Sequence, residues 1–181
     1  YKTSFLLDSK QTANGLAQER FDNYKKQPLT YKFPANFTGK LPIIGNAGEK
    51  PKAAIIREKG SNSEREMANA MYLAGFDVKD VHMTDLISGR ETLEDIQFIG
   101  AVGGFSNSDV LGSAKGWAGA FLYNAKAKKA LKNFFKREDT LSVGICNGAQ
   151  LWMELDLINP KHKVHGKLVH NDSQKHESSF T

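Results

Sequence analysis

The sequence contains a single cysteine, Cys146, among its 181 residues. One thiol excludes an intrachain disulfide framework, so its chemistry is that of a free thiol in a reducing compartment. No apolar run approaches the roughly 20 residues needed to cross a bilayer. The first residues also lack the basic start and apolar centre of a signal peptide. These absences predict a cytoplasmic protein without a membrane partner.

The sequence has neither internal repeats nor low-complexity tracts, and it lacks an initiator methionine and a closing element at its end. We therefore expect a piece of a longer protein. The formal net charge is +5, but aromatic residues do not alternate with the basic ones as a single-strand-binding platform requires. No nucleic-acid partner is expected. Several lysines have the spacing of residues on the solvent-exposed face of a helix, namely Lys126, Lys128, Lys129, Lys132 and Lys136.

The composition changes near residue 52. Residues 1–51 are rich in Lys, Gln, Asn and Pro, and only residues 11–24 have a helical pattern. We interpret residues 1–51 as a linker that wraps a neighbouring domain. Residues 52–181 have the texture of a folded domain, since buried-strand patterns alternate with helical ones.

Apolar runs bounded by turns predict four strands, at residues 53–56, 76–81, 96–102 and 141–145. A capping box at Ser63 and Glu66 predicts the start of a helix that Gly75 ends, and a longer helix is expected over residues 115–135. Alternating strands and helices indicate an α/β fold with a doubly wound, mostly parallel sheet. Ligands of such sheets lie at the carboxyl ends of the strands.

The strongest local signal is Gly144-Ile145-Cys146-Asn147-Gly148, between a predicted strand and a predicted helix. This pattern is typical of a nucleophile elbow, in which glycines two residues away on each side avoid collisions around a strained nucleophile. A thiol at a helix start is favoured as thiolate by the helix dipole and the free amides. The alternative is a small buried cysteine, which the flanking glycines Gly144 and Gly148 make the weaker interpretation.

A second signal, Gly103-Gly104-Phe105-Ser106, follows the third predicted strand. Acyl transfer needs two amide donors aimed at the developing oxyanion, and glycine lets a backbone approach the substrate closely. The amide of Asn147 is expected to be one donor, and that of Gly104 or Phe105 the other. An ordinary tight turn is the alternative reading of this segment.

Seven segments, in order along the chain, have the motifs of one known protein family. They are residues 57–62, 74–78, 80–86, 103–106, 109–112, 116–118 and 144–148. Together they resemble the class I glutamine amidotransferase domain of formylglycinamidine ribonucleotide synthetase in its large, single-chain form. The resemblance extends from about residue 52 to 180, and residues 1–51 resemble the segment that joins the synthetase body to this domain. It implies a flavodoxin-like architecture, here incomplete at the carboxyl terminus.

The resemblance implies a ligase of purine biosynthesis whose glutaminase half uses Cys146. The cysteine attacks the side-chain amide of glutamine and gives a glutamyl thioester, then glutamate and ammonia. Ammonia passes to a separate synthetase site, which uses ATP and Mg²⁺. The expected partners are therefore glutamine and the synthetase domains of the same polypeptide, and no cofactor or metal is expected in this chain.

Two departures from the family pattern concern the site. The family usually has Tyr-Gly-Asp where this chain has Asn107-Ser108-Asp109, which puts the turn near the glutamine pocket in question. A triad also needs a histidine base and an orienting carboxylate, which the family supplies as His-x-Glu. No His-x-Glu follows Cys146 in this chain. The histidines that do follow it are His162, His165, His170 and His176, and we expect none of them to be the base.

Two other functions are compatible with these residues. One is a related elbow-cysteine hydrolase, whose hallmark is a histidine directly after the cysteine or an acid near it. Asn147 follows Cys146 instead, which favours the amidotransferase. The other is a noncatalytic module that docks onto a synthetase, which the missing base favours. His82, before the elbow, is interpreted as structural or exposed.

Overall fold

Strands and helices alternate from Lys52 onward in a computed structural model that describes residues 32–40, 48 and 50–172. The described residues fall into two compact units, and all elements given below lie in the unit Lys40–Leu168. The helix predicted over residues 11–24 lies outside the described residues. The boundary between the linker and the domain at residues 51 and 52 stays a prediction.

The elements follow one another as the alternation predicts. The strands are β1 (Lys52–Arg57), β2 (Ser61–Asn62), β3 (Asp77–His82), β4 (Phe98–Ala101), β5 (Gly103–Gly104) and β6 (Leu141–Gly144). The helices are α1 (Glu64–Leu73), α2 (Met83–Ser88), α3 (Lys115–Tyr123), α4 (Ala125–Lys136) and α5 (Asn147–Glu154). A short 3₁₀ turn covers Ser106–Asp109.

The four longer strands form one parallel sheet in the order β3-β1-β4-β6. Counted along the chain, this order is 2-1-3-4, the arrangement of flavodoxin-like folds. The predicted α/β fold with a parallel, doubly wound sheet is confirmed. Chain connections leave β1 and β4 in opposite directions, so the crevice typical of such sheets opens where these two strands end. The short strands β2 and β5 pair antiparallel at that same end.

Helices cover the sheet on both faces. Successive strand residues point to opposite faces, so Gly100 and Ala101 on β4 meet different helices. A Cβ on Gly100 would collide with Met67 and Met71 of α1, and one on Gly148 of α5 would collide with Ala101. Small residues at the centre of β4 therefore let α1 and α5 approach the sheet closely. The largest fully buried side chains include Trp117, Phe121 and Phe134.

The two ends of α1 differ in how well they were predicted. Gly75 has φ 93°, and the amides of Gly75 and Phe76 donate to the carbonyls of Tyr72 and Met71, a Schellman cap as expected. The predicted capping box at Ser63 is wrong. Ser63 adopts the left-handed conformation at φ 72° and its side chain makes no capping bond, because a capping serine needs an extended backbone to reach the amides ahead.

The single helix predicted over residues 115–135 is in fact two, α3 and α4. Asn124 separates them with φ −104° and ψ 121°, and its side-chain oxygen accepts from the amide of Ala127 at 3.0 Å. Asparagine is a strong helix N-cap, and this local bond starts a new helix where apolar spacing alone predicts continuation. The lysines predicted on the wet side are exposed. No helix in the described part of the chain is long and apolar enough to cross a membrane.

Helix α2 was not predicted, and His82 explains its start. The ring Nδ1 of His82 accepts from the amide of Thr84 at 3.2 Å, and the carboxylate of Asp85 accepts from the amide of His82 at 3.1 Å. This reciprocal pair satisfies two amides at the helix start, as serine and glutamate do in an ordinary capping box. The expectation that His82 is structural agrees with this geometry.

A buried carboxylate joins the edge strand β3 to the segment that leads into β4. Glu91 is 7% exposed, its Oε1 accepts from the amides of Thr92 and Leu93 at 2.9 Å, and its Oε2 pairs with Lys79. Burial alone would raise the pKa of Glu91, but Lys79 and the two amides together hold it below its ordinary value.

We expect Glu91→Gln to lower the free energy of unfolding by about 1–2 kcal/mol at pH 7, because charge-assisted hydrogen bonds are lost. The pKa of Glu91 is lower in the folded state, so its contribution is present above the unfolded value near 4.5 and is lost as the pH falls below it. Urea unfolding at pH 7 and at about pH 3.5 measures this. Glu138→Gln, at an exposed position, is the control. If Glu91→Gln lowers the free energy of unfolding equally at both pH values, the stabilisation does not come from ionised Glu91, and this prediction is contradicted.

Candidate active site

The elbow, residues 144–148, carries Cys146 at the junction of β6 and α5. Cys146 has φ 53° and ψ −111°, a combination that non-glycine residues rarely adopt. It directly precedes Asn147, the first residue of α5, and it is exposed to solvent. An exposed cysteine in a strained conformation at a helix start is therefore present, as the pattern indicates.

The two flanking glycines are sterically required. A Cβ on Gly144 would lie 2.6 Å from both the carbonyl oxygen of Gly148 and the Cδ1 atom of Trp152. A Cβ on Gly148 would overlap the carbonyl of Ala101 on β4. Glycine at these positions lets the first turn of α5 lie directly on the ends of β4 and β6.

The Gly103 loop, residues 103–106, lies beside the elbow. Strands β4 and β6 are parallel neighbours, and the amide of Ile145 donates to the carbonyl of Ala101 at 3.1 Å, so both segments leave the sheet at the same edge. A Cβ on Gly103 would be 3.4 Å from the Cβ of Cys146. The expected juxtaposition of the two loops at the carboxyl edge is thus found.

The amides of the Gly103 loop differ in whether they donate a hydrogen bond within the protein. The amide of Phe105 donates to the carbonyl of Gly60 at 3.0 Å. Hydrogen-bonded and non-hydrogen-bonded pairs alternate in an antiparallel ladder, so the adjacent pair, Ser61 with Gly104, is of the second kind. The ladder therefore leaves the amide of Gly104 uncommitted. Of the two candidates for the second oxyanion donor, this geometry favours Gly104 over Phe105.

The side chain of Asn147 connects the elbow to the Gly103 loop. Its Oδ1 accepts from the amide of Ser106 at 3.0 Å, and its Nδ2 donates to the Oε1 of Gln150 at 2.8 Å. Within the described residues no acceptor is assigned to the backbone amide of Asn147 itself, which stays available as a donor. Sequence reasoning used only this backbone amide and missed the side chain. Its contact with Ser106 lies 41 residues away in the sequence, so no local pattern points to it.

A cleft of about 620 Å³ opens beside Cys146. Its wall is largely apolar and comes from α1, β4 and β6, with Ser63 and Glu66 among its polar side chains. The lining residues are Ser63, Glu66, Met67, Ala70, Met71, Ala74, Phe76, Phe98, Gly103, Gly104, Val143, Ile145 and Cys146. Glu66, a residue with a carboxylate, lines the same cleft as Cys146. The sequence did not indicate this proximity.

No histidine among the described residues lines this cleft. His165 pairs with Asp156 at 2.6 Å, beyond the carboxyl end of α5, about 12 Å of helix away from the elbow. His162 and His170 are exposed, and His176 lies outside the described residues. In the part of the chain that the structure describes, no group of three or more His, Cys, Asp or Glu side chains is arranged to hold a metal ion.

The turn that departs from the family pattern is strained. Asn107, Ser108 and Asp109 have φ values of 53°, 56° and 49°, all left-handed although none is glycine. Gly116 on α3 permits this path, since a Cβ there would lie 3.3 Å from the Nδ2 of Asn107. The side chain of Asp109 accepts from the amide of Ala114 at 3.0 Å and closes the loop. Such strain persists only where the surroundings hold it.

We expect Gly148→Ala to lower the free energy of unfolding by about 1–3 kcal/mol, because the new methyl group must displace α5 from β4. Gly119→Ala is the matched control, a helical glycine whose Cβ would lie 3.8 Å from the nearest atom. It should stabilise the protein by about 0.5–1 kcal/mol through helix propensity. Urea unfolding measures both. Equal stability of Gly148→Ala and the wild type would show that α5 does not need this close approach.

A family model and a solved structure are similar to this chain. One solved structure that resembles the chain is that of PurLQS from Thermotoga maritima, with 29% sequence identity and a TM-score of 0.48. The similarity covers 61% of this chain and 46% of that one, so this chain spans less than half of its length. A family model described as a CobB/CobQ-like glutamine amidotransferase domain matches residues 50–181. The predicted amidotransferase domain is confirmed by this match, and the chain belongs to the CobB/CobQ-like glutamine amidotransferase family.

Proposed function

We propose that this chain is the nucleophile-bearing part of the glutaminase of formylglycinamidine ribonucleotide synthetase in its large, single-chain form. Membership of the amidotransferase family supports the glutaminase, and the ordered motifs of the sequence support this particular synthetase. The observation that carries the chemistry is the elbow. It holds an exposed Cys146 with a strained, positive-φ backbone at a helix start beside the Gly103 loop.

The reaction begins when the Cys146 sulfur attacks the carbonyl carbon of the glutamine side-chain amide. The negative charge that develops on oxygen is stabilised by the amides of Asn147 and Gly104. The carbon–nitrogen bond then breaks, and ammonia leaves with a proton from a general acid, which gives a glutamyl thioester. Water hydrolyses the thioester to glutamate and regenerates the thiol, so glutamine and water give glutamate and ammonia.

Ammonia is used at a synthetase site that this chain does not contain. We infer that ATP and Mg²⁺ act there and that the glutaminase step itself needs no cofactor. The partners of this chain are then glutamine and the synthetase domains of the same polypeptide. A cytoplasmic location fits this role, because a reducing compartment keeps a catalytic thiol free.

A histidine base has to come from outside the described residues, since none of their histidines lines the cleft. We propose a His-x-Glu pair from a segment that follows this sequence in the complete protein. Such a pair removes the thiol proton and protonates the leaving ammonia. Without it, this chain acts only as a module that holds the nucleophile and docks onto its synthetase.

The second candidate function, an elbow-cysteine hydrolase, is favoured by one observation. Glu66 lines the same cleft as Cys146, and an acid near the cysteine is the mark of that class. Asn147 directly after the cysteine and the amidotransferase match favour the glutaminase. Glu66→Gln in the complete protein separates the two, because an elbow-cysteine hydrolase should lose its hydrolytic activity, whereas the glutaminase should still release glutamate from glutamine.

We expect this chain alone to release glutamate from glutamine at least about 10²-fold more slowly than a longer protein that includes the His-x-Glu segment, because a positioned base contributes roughly 10² to 10⁴ in rate. Glutamate release is measured for both proteins, each with and without Cys146→Ala. Activity of the short chain that equals the longer protein and depends on Cys146 would place the base among His162, His165, His170 and His176.

A further inference from the structure

The side chain of Asn147 is buried at the point where the elbow meets the Gly103 loop. The residue is 1% exposed, and both ends of its carboxamide are used. The Oδ1 accepts from the amide of Ser106, 41 residues earlier in the chain, at 3.0 Å, while the Nδ2 donates to Gln150 at 2.8 Å. Only an oxygen can accept from the Ser106 amide, so this amide fixes which way the Asn147 carboxamide faces, and Gln150 accepts from its nitrogen.

The amides of Gly104, Phe105 and Ser106 follow one another in the Gly103 loop, and two of them donate hydrogen bonds. The amide of Phe105 is held by the carbonyl of Gly60, and that of Ser106 is held by Asn147. The ladder leaves the amide of Gly104 uncommitted. The two bonds that follow Gly104 therefore fix the peptide path on which the orientation of its amide depends. The acceptor of one bond is Gly60, directly before β2, and the acceptor of the other is Asn147 of the elbow.

The Gly103 loop needs such a restraint. It continues into Asn107, Ser108 and Asp109, which are all left-handed, and strain of this kind relaxes unless the surroundings hold it. Ser106 is 1% exposed, so water does not replace the bond to Asn147 easily. Loss of the carboxamide leaves the buried amide of Ser106 without an acceptor. Because this is unfavourable, the loop is expected to shift so that the amide finds another acceptor.

We propose that Asn147 is a positioning residue whose side chain holds the amide of Gly104 in the orientation in which it and the backbone amide of Asn147 point at the same oxyanion. One residue then supplies one oxyanion donor from its backbone and fixes the segment that carries the other. The inference rests on the proposed function, in which both amides stabilise the oxyanion. The side chain itself does not touch the substrate, and its effect is confined to steps that develop charge on oxygen.

Two reactions of Cys146 separate this role from a general structural one. With p-nitrophenyl acetate, the sulfur bonds to the acetyl carbon and p-nitrophenolate leaves, through a tetrahedral oxyanion and without need of a protonated leaving group. With iodoacetamide, the sulfur displaces iodide directly and no oxyanion forms. The ratio of the acylation rate to the alkylation rate therefore reports the oxyanion donors and cancels changes in thiolate content or access.

The experiment measures both rates for this chain and its variants. Asn147→Leu removes the acceptor, and Asn147→Ser withdraws it from Ser106, because the hydroxyl oxygen is one bond closer to the backbone than Oδ1. The Ser variant also serves if the Leu variant does not fold. We expect each to lower the ratio at least about tenfold, since loss of a whole donor costs roughly 10² to 10³. Gln150→Ala keeps the Asn147 oxygen for Ser106 and adds no charge, so it is the matched control and should stay within about threefold of the wild type.

The outcomes distinguish this inference from the proposed function. A wild-type ratio no higher than that of glutathione overturns the oxyanion site and, with it, this inference. A raised wild-type ratio that Asn147→Leu and Asn147→Ser leave unchanged overturns the positioning role alone. A fall in acylation and alkylation by the same factor also overturns it, because that pattern reports lost folding or access.

Discussion

The close approach of the first turn of α5 to the end of β4 is the contact on which the site depends. Gly148 lies against the carbonyl of Ala101, and no larger residue fits there. With the helix start fixed at this point, the chain that arrives from β6 has to turn within two residues, and Cys146 takes the strained, positive-φ conformation that this turn requires. The strain at Cys146 is thus offset by packing below it, which raises an exposed thiol at a helix terminus.

The polar contacts of the site follow from that packing. Because α5 starts at the edge where β4 ends, its first residue, Asn147, faces the Gly103 loop and accepts from Ser106. The two neighbouring strands β4 and β6 therefore deliver a nucleophile and an amide-rich loop to one place, and the short ladder of β2 and β5 holds that loop from the other side. Parallel sheets place their ligands at this edge for the same topological reason.

The fold and the elbow were predictable from the sequence because they depend on local patterns. Apolar runs indicated the strands, and glycine spacing around Cys146 indicated a turn whose sterics only glycine permits. The break at Asn124 and the cap at His82 were missed, since a single side-chain bond decides each and apolar spacing does not report it. The Ser106–Asn147 bond joins residues far apart in sequence. Only the sheet order brings them together, so no local pattern predicts it.

The central claim is that Cys146 forms a covalent glutamyl intermediate at this elbow. The most direct measurement is peptide mass spectrometry of the complete protein after acid quenching during turnover of glutamine. We expect the peptide containing Cys146 to carry one glutamyl group, which hydroxylamine removes because it is bound as a thioester. Steady release of glutamate with this peptide unmodified, and a glutamyl group on a different residue, would contradict it.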